Sequence, residues 1–143
     1  ADVLSCSNGY YINVDYQRIV FIDKKGNYKG TVNTERRNIV GITSDNEDFP
    51  CVLLSSNDKT YLGKLSEDKI TEEISCGELA SYVNGICKGF GEYSIAAVES
   101  NGLFVLDNDK WKRISDFSDN DFNIQYIRDI EMISEEEFVV MCK

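Results

Sequence analysis

The chain's 143 residues fit one domain with a core of its own, and 42% hydrophobic with 28% charged side chains is globular rather than disordered composition. A net charge of −10, with basic residues no more clustered than the pairs Lys24-Lys25 and Arg36-Arg37, argues against a nucleic-acid phosphate footprint. No apolar run approaches the ~20 residues of a membrane-spanning helix, so neither nucleic acid nor membrane is an expected partner.

In chain order the apolar residues come in runs of four to six, bounded by turn residues, and no helical period survives. Val3 to Ser7, Tyr10 to Val14, Arg18 to Ile22 and Tyr28 to Val32 read as four strands. The second group is Asn38 to Ile42, Cys51 to Leu54, Thr60 to Leu65 and Lys69 to Ile74, with Cys76 to Ala80 leading onward. The third is Tyr82 to Lys88, Ser94 to Val98, Leu103 to Leu106 and Trp111 to Ile114. Asn101-Gly102 and Asn108-Asp109 mark its tight turns, because Asn and Gly tolerate the positive φ such turns need. After the polar loop Ser115 to Asn123, Tyr126 to Ile133 and Phe138 to Met141 begin a fourth group.

These groups repeat. Asn38, Tyr82 and Tyr126 are 44 residues apart, as are Ile42, Ile86 and Ile130, and Ile19, Tyr61 and Leu103 are 42 apart. A period in the forties with four short strands is the signature of a β-propeller blade. The predicted class is therefore all-β, with antiparallel four-stranded blades over residues 1–37, 38–81 and 82–125, and a half blade over 126–143. Arg18-Ile-Val-Phe-Ile-Asp-Lys-Lys-Gly-Asn-Tyr resembles the strand–turn–strand of NHL-type propeller blades. Asn101-Gly-Leu-Phe-Val-Leu-Asp-Asn-Asp-Lys-Trp-Lys resembles the propeller repeats in the sensor halves of two-component regulators. That resemblance implies an architecture and a habit of binding, and no activity. Three and a half blades leave blade faces uncovered, which predicts either association with another chain, a second copy included, or membership of a longer propeller.

The chain has no histidine, which removes Ser-His-Asp and Cys-His catalysis and His-ligated zinc. Its five cysteines (Cys6, Cys51, Cys76, Cys87 and Cys142) form no Cys-x-x-Cys pair, and four sit in β-like apolar runs as small core hydrophobes. An odd count predicts free thiols and a reducing, cytoplasmic setting. The chain begins at Ala1 rather than Met, so either residues ahead of it were removed or the sequence is a cut piece of a longer one. The unpaired cysteine argues against a secreted start.

No catalytic set, cofactor or metal is predicted. Asp119, Asp121 and Asn123 alternate like the start of a calcium loop, but Ile124 and Ile130 stand where its Gly and Glu belong. Ser44 to Asp48 reads as an acidic hairpin turn. Trp111 and Phe104 read as blade-to-blade packing rather than sugar-stacking platforms. In propellers, by analogy, ligands meet the ends at which the chain enters the innermost strands. The matching positions are Asn38, Tyr82 and Tyr126, with Val40, Asn84 and Arg128 two residues on. Asn38, Tyr82, Asn84, Tyr126 and Arg128 are thus the candidate site, suited to a small polar ligand or a peptide. The competing structural role is blade packing by the tyrosines and an ion pair for Arg128. The reading is a non-enzymatic binding or protein-interaction module. Its alternatives are a ligand-sensing or carbohydrate-binding propeller domain, and a small acidic inhibitor of a basic target.

Overall fold

In the computed structural model residues 3–79, 83–99, 102–116, 127–134 and 136–142 are described, and their regular structure is all β-strand. The strands β1 (Val3–Cys6), β2 (Gly9–Asn13), β3 (Arg18–Asp23) and β4 (Tyr28–Asn33) pair in sequence order as an antiparallel meander. So do β5 (Asn38–Ser44), β6 (Pro50–Ser56), β7 (Lys59–Ser66) and β8 (Lys69–Glu78). The third meander is β9 (Gly85–Lys88), β10 (Ile95–Val98), β11 (Gly102–Asp107) and β12 (Lys110–Asp116). The fourth sheet pairs β13 (Ile127–Ser134) with β14 (Glu137–Cys142). These are β-propeller blades.

Two expected boundaries move by more than two residues. β9 starts at Gly85 rather than Tyr82, leaving Val83 and Asn84 ahead of it. β8 runs on past Ile74 to Glu78, since Glu72 (φ 48°) and Gly77 (φ 76°) turn positive within it. At those points the register with β7 shifts and then resumes, so the strand bulges instead of ending.

Three apolar layers lie between successive blades. Tyr11, Ile19, Phe21 and Val32 of blade 1 meet Ile39, Ile42, Val52, Leu54 and Leu65 of blade 2. Cys51, Leu53, Leu62 and Cys76 meet Ile86, Ile95, Ala97 and Leu106 of blade 3. Ala96, Val98, Leu103 and Val105 then meet Ile127 and Ile130. In β6 and β10 neighbouring residues serve opposite layers because side chains alternate across a strand. Both faces are covered, so these strands are apolar throughout and read as unbroken runs in sequence.

The strands β1, β5, β9 and β13 are innermost: Leu4, Thr43, Cys87 and Glu131 all line one cavity of about 390 Å³. They approach closely. A Cβ on Gly41 would come within 2.9 Å of the Ile86 side chain, and one on Gly85 within 2.5 Å of Asp129 Oδ1. Gly41 and Gly85 are themselves 44 residues apart, so the repeat preserves a close approach as well as turn chemistry. Among the described residues no helix is long and apolar enough to cross a membrane.

Candidate functional site

At the leading end of the blades, where the chain enters its inner strands, Val40, Asn84 and Arg128 line one cavity of about 240 Å³ together with Asn13, Asp129 and Met141. Asn84 is held firmly. Its N–H donates to the Val98 carbonyl at 2.8 Å, and its Nδ2 donates across the blade boundary to the Ile127 carbonyl at 2.6 Å. That second bond uses one of the amide's two hydrogens on the neighbouring blade and leaves Oδ1 available. Arg128 is exposed on β13, and no carboxylate among the described residues pairs with its guanidinium. Asp129 accepts from the Ile130 N–H at 2.8 Å and lies against Gly85.

Asn38 is exposed, paired with Ser55 across β5 and β6, and not part of that cavity lining. Tyr82 and Tyr126 lie outside the described residues, as does the Asp119–Asp121–Asn123 loop. Asn13 was not among the sequence candidates. Its Oδ1 is buried with no hydrogen-bond partner, and a polar residue closing an apolar strand was the signal that could have found it.

At the trailing end lie the turns that leave the inner strands and those that join the outer pairs. The β5–β6 turn is built on Asp45, which is buried and accepts at Oδ1 from the N–H groups of Glu47 and Phe49, both at 2.9 Å. This carboxylate is a structural cap rather than a ligand. Asn46 ties the turn to blade 3 through the Ser94 and Gly91 carbonyls. Asp48 pairs with Lys88, and Glu67 and Asp68 form the β7–β8 turn at the same end. The acidic turns therefore share a face.

All five thiols are free, with Cys51, Cys76 and Cys87 buried, Cys6 half-buried and Cys142 exposed. Burial pushes Cys51 and Cys87 up to about 12 and Cys76 up to about 11, far from nucleophilic range. Trp111 packs against the layer between blades 2 and 3, its Nε1 donating to Thr60 Oγ1 at 2.8 Å. The Phe104 ring is covered by the Arg113 guanidinium at 5.0 Å. Trp111 thus packs between blades, as expected, whereas Phe104 is held against Arg113 of its own blade.

The sequence matches no family model and no curated protein. The crystal structure of Kluyvelomyces marxianus Hsv2, a β-propeller, matches 98% of this chain with a TM-score of 0.55 at 16% identity. The likeness is one of fold. The chain spans about half of that protein, 48% of its length, and the identity is too low to carry any residue's role across.

Proposed function

We propose that this chain is a non-enzymatic binding module, built on an arc of propeller blades, that docks a small polar ligand or a peptide at its leading end. The observation carrying the proposal is the shared cavity of Val40, Asn84 and Arg128, three residues at equivalent points of successive repeats. An unpaired guanidinium beside oriented amide groups offers directional donors and acceptors around apolar Val40 and Met141, a combination that suits a small polar group. Asn38, Tyr82 and Tyr126 remain proposed neighbours of this mouth. The free thiols fit a reducing, cytoplasmic setting. The ring is completed by association, or by further blades of a longer chain.

The test is a thermal-shift screen of polar metabolites and short peptides on the wild type and the Asn84→Ala/Arg128→Ala double variant. A ligand present at ~100 times its Kd stabilises the native state by about 2.7 kcal/mol, a shift of several degrees in Tm. Compounds that shift the wild type and not the variant are expected. Equal shifts in both, or none in either, would overturn the proposal. A second reading, an acidic inhibitor of a basic target, is favoured by the common face of the turns at Asp48 and Glu67.

A further inference from the structure

A third cavity lies apart from the leading-end mouth. It is a cleft of about 590 Å³ at the trailing end between blades 1 and 2, within the range of small-molecule sites. At its base is Tyr11, only 1% exposed, stacked on Phe21 with ring centroids 4.8 Å apart. The Tyr11 hydroxyl accepts the Glu67 N–H at 2.8 Å, which anchors the β7–β8 turn of the neighbouring blade. No described residue accepts the phenol's own hydrogen. A buried hydroxyl donor without an acceptor costs about 1–3 kcal/mol, so the group is built for something that enters the cleft. Burial holds this phenol above its ordinary value of 10.0, so it stays a donor at neutral pH.

The walls narrow the chemistry. Ser5 and Ser66 supply hydroxyls that both donate and accept, and Asp48 and Glu67 supply acceptors. Phe49, 40% exposed, lines the cleft with its ring, one face of which lies under the Lys64 ammonium at 4.9 Å. Two carboxylates in the lining, with the nearest ammoniums (Lys24, Lys64 and Lys88) held on Ser5, Phe49 and Asp48, disfavour an anion. A wholly apolar ligand would leave the buried donor and the serine hydroxyls unpaired. A polycation would meet Asp48 already engaged by Lys88. Hydroxyls that each accept one bond and donate another, carried on a ring with apolar C–H faces, match donors and acceptors placed beside an aromatic ring.

We infer that the cleft between blades 1 and 2 is a binding site for a neutral polyhydroxylated ligand of the saccharide type. The Tyr11 hydroxyl donates to a ligand oxygen at the base. Glu67 and the Asp48 Oδ2 that Lys88 leaves open accept from ligand hydroxyls, and Phe49 packs against the ring's C–H face. Trp111 and Phe104, the rings the sequence offers for such a role, are occupied elsewhere.

The test is an amide NMR titration of the full chain with methyl α-D-mannopyranoside, methyl β-D-glucopyranoside, N,N′-diacetylchitobiose and, separately, spermidine. At least one glycoside is expected to give saturable shifts centred on residues 11, 49, 66 and 67, with a Kd of ~1–10 mM. Tyr11→Phe keeps the ring and removes the donor, and Phe49→Ala removes an exposed ring whose loss leaves the fold intact. Each is expected to weaken binding about tenfold, the equivalent of about 1.4 kcal/mol. The Phe49 variant carries the test if Tyr11→Phe loosens its turn. The inference is overturned by no saturable response to any glycoside, by unchanged affinity in the variants, or by a response to spermidine alone. Because Asn84→Ala/Arg128→Ala should keep the glycoside response, this site and the leading-end mouth stand or fall separately.

Discussion

Cys51, Cys76 and Cys87 are raised in the same direction by the same cause, loss of water around a thiolate that would carry charge in the blade layers. From the reference value of 9.0 to about 11–12 the unfolded chain gives up these protons and the folded chain keeps them. The folded state therefore binds more protons in that window, and stability falls as pH rises through it, after being fully present below 9.0. One such thiol gives a slope of about 1.4 kcal/mol per pH unit. Urea unfolding at pH 8 and pH 10.5 should show a marked loss, and the Cys51→Ala/Cys87→Ala variant should show a shallower one. An identical pH dependence in both proteins would refute the burial argument. At this scale the sequence was legible for the cysteines, whose apolar neighbours announce their burial. It was silent on the hydrogen bonds of Tyr11 and Trp111, because their partners Glu67 and Thr60 come from neighbouring blades, more than fifty residues away in the chain.

Elements were legible because the turn chemistry is local. Asn57 (φ 51°), Asp58 (φ 65°), Asn108 (φ 59°) and Gly26 (φ 87°) hold the positive φ that their residue types advertise. The extension of β8 was not legible, since a bulge at Gly77 looks in sequence like a turn. The β6–β7 hairpin offers a direct check on this logic. Both of its central residues lie in the left-handed region, the pattern of a type I′ turn, for which Asn-Gly is the favoured pair. Asp58 is exposed, and none of its side-chain interactions holds the turn. Asp58→Gly should relieve the left-handed strain and stabilise the protein by about 0.5–1 kcal/mol, read as a higher urea midpoint with an unchanged m-value. A lower midpoint would mean that the turn is not the one described.

For the molecule as a whole, the informative surfaces are the two blade faces that no described blade covers. On blade 1, Tyr10 pairs with Ile22 and Ile12 with Val20, so these side chains point away from Tyr11 and Phe21 and away from blade 2. Val3, 56% exposed, lies opposite Ile12 on that same face. On the fourth sheet Val139 and Met141, 50% and 56% exposed, pair with Glu131 and Asp129 and face away from blade 3. The blade 1 face is apolar at its centre, the fourth sheet sets Val139 and Met141 among Glu131 and Asp129, and uncovered apolar side chains on blade faces invite a partner. The match to 48% of a propeller chain means that such a ring needs about as much protein again. A second copy supplies that amount. Its blade 1 would meet the first copy's β13–β14 sheet, and the reverse contact would close the ring about a two-fold axis. Light scattering should then give a mass near twice 16.2 kDa. Ile12→Asp and Val139→Asp, one on each face, should each return the particle to monomer mass while far-UV circular dichroism stays that of a β protein. A monodisperse wild-type species at 16.2 kDa would end the case for self-closure and leave completion of the ring to further blades of a longer chain.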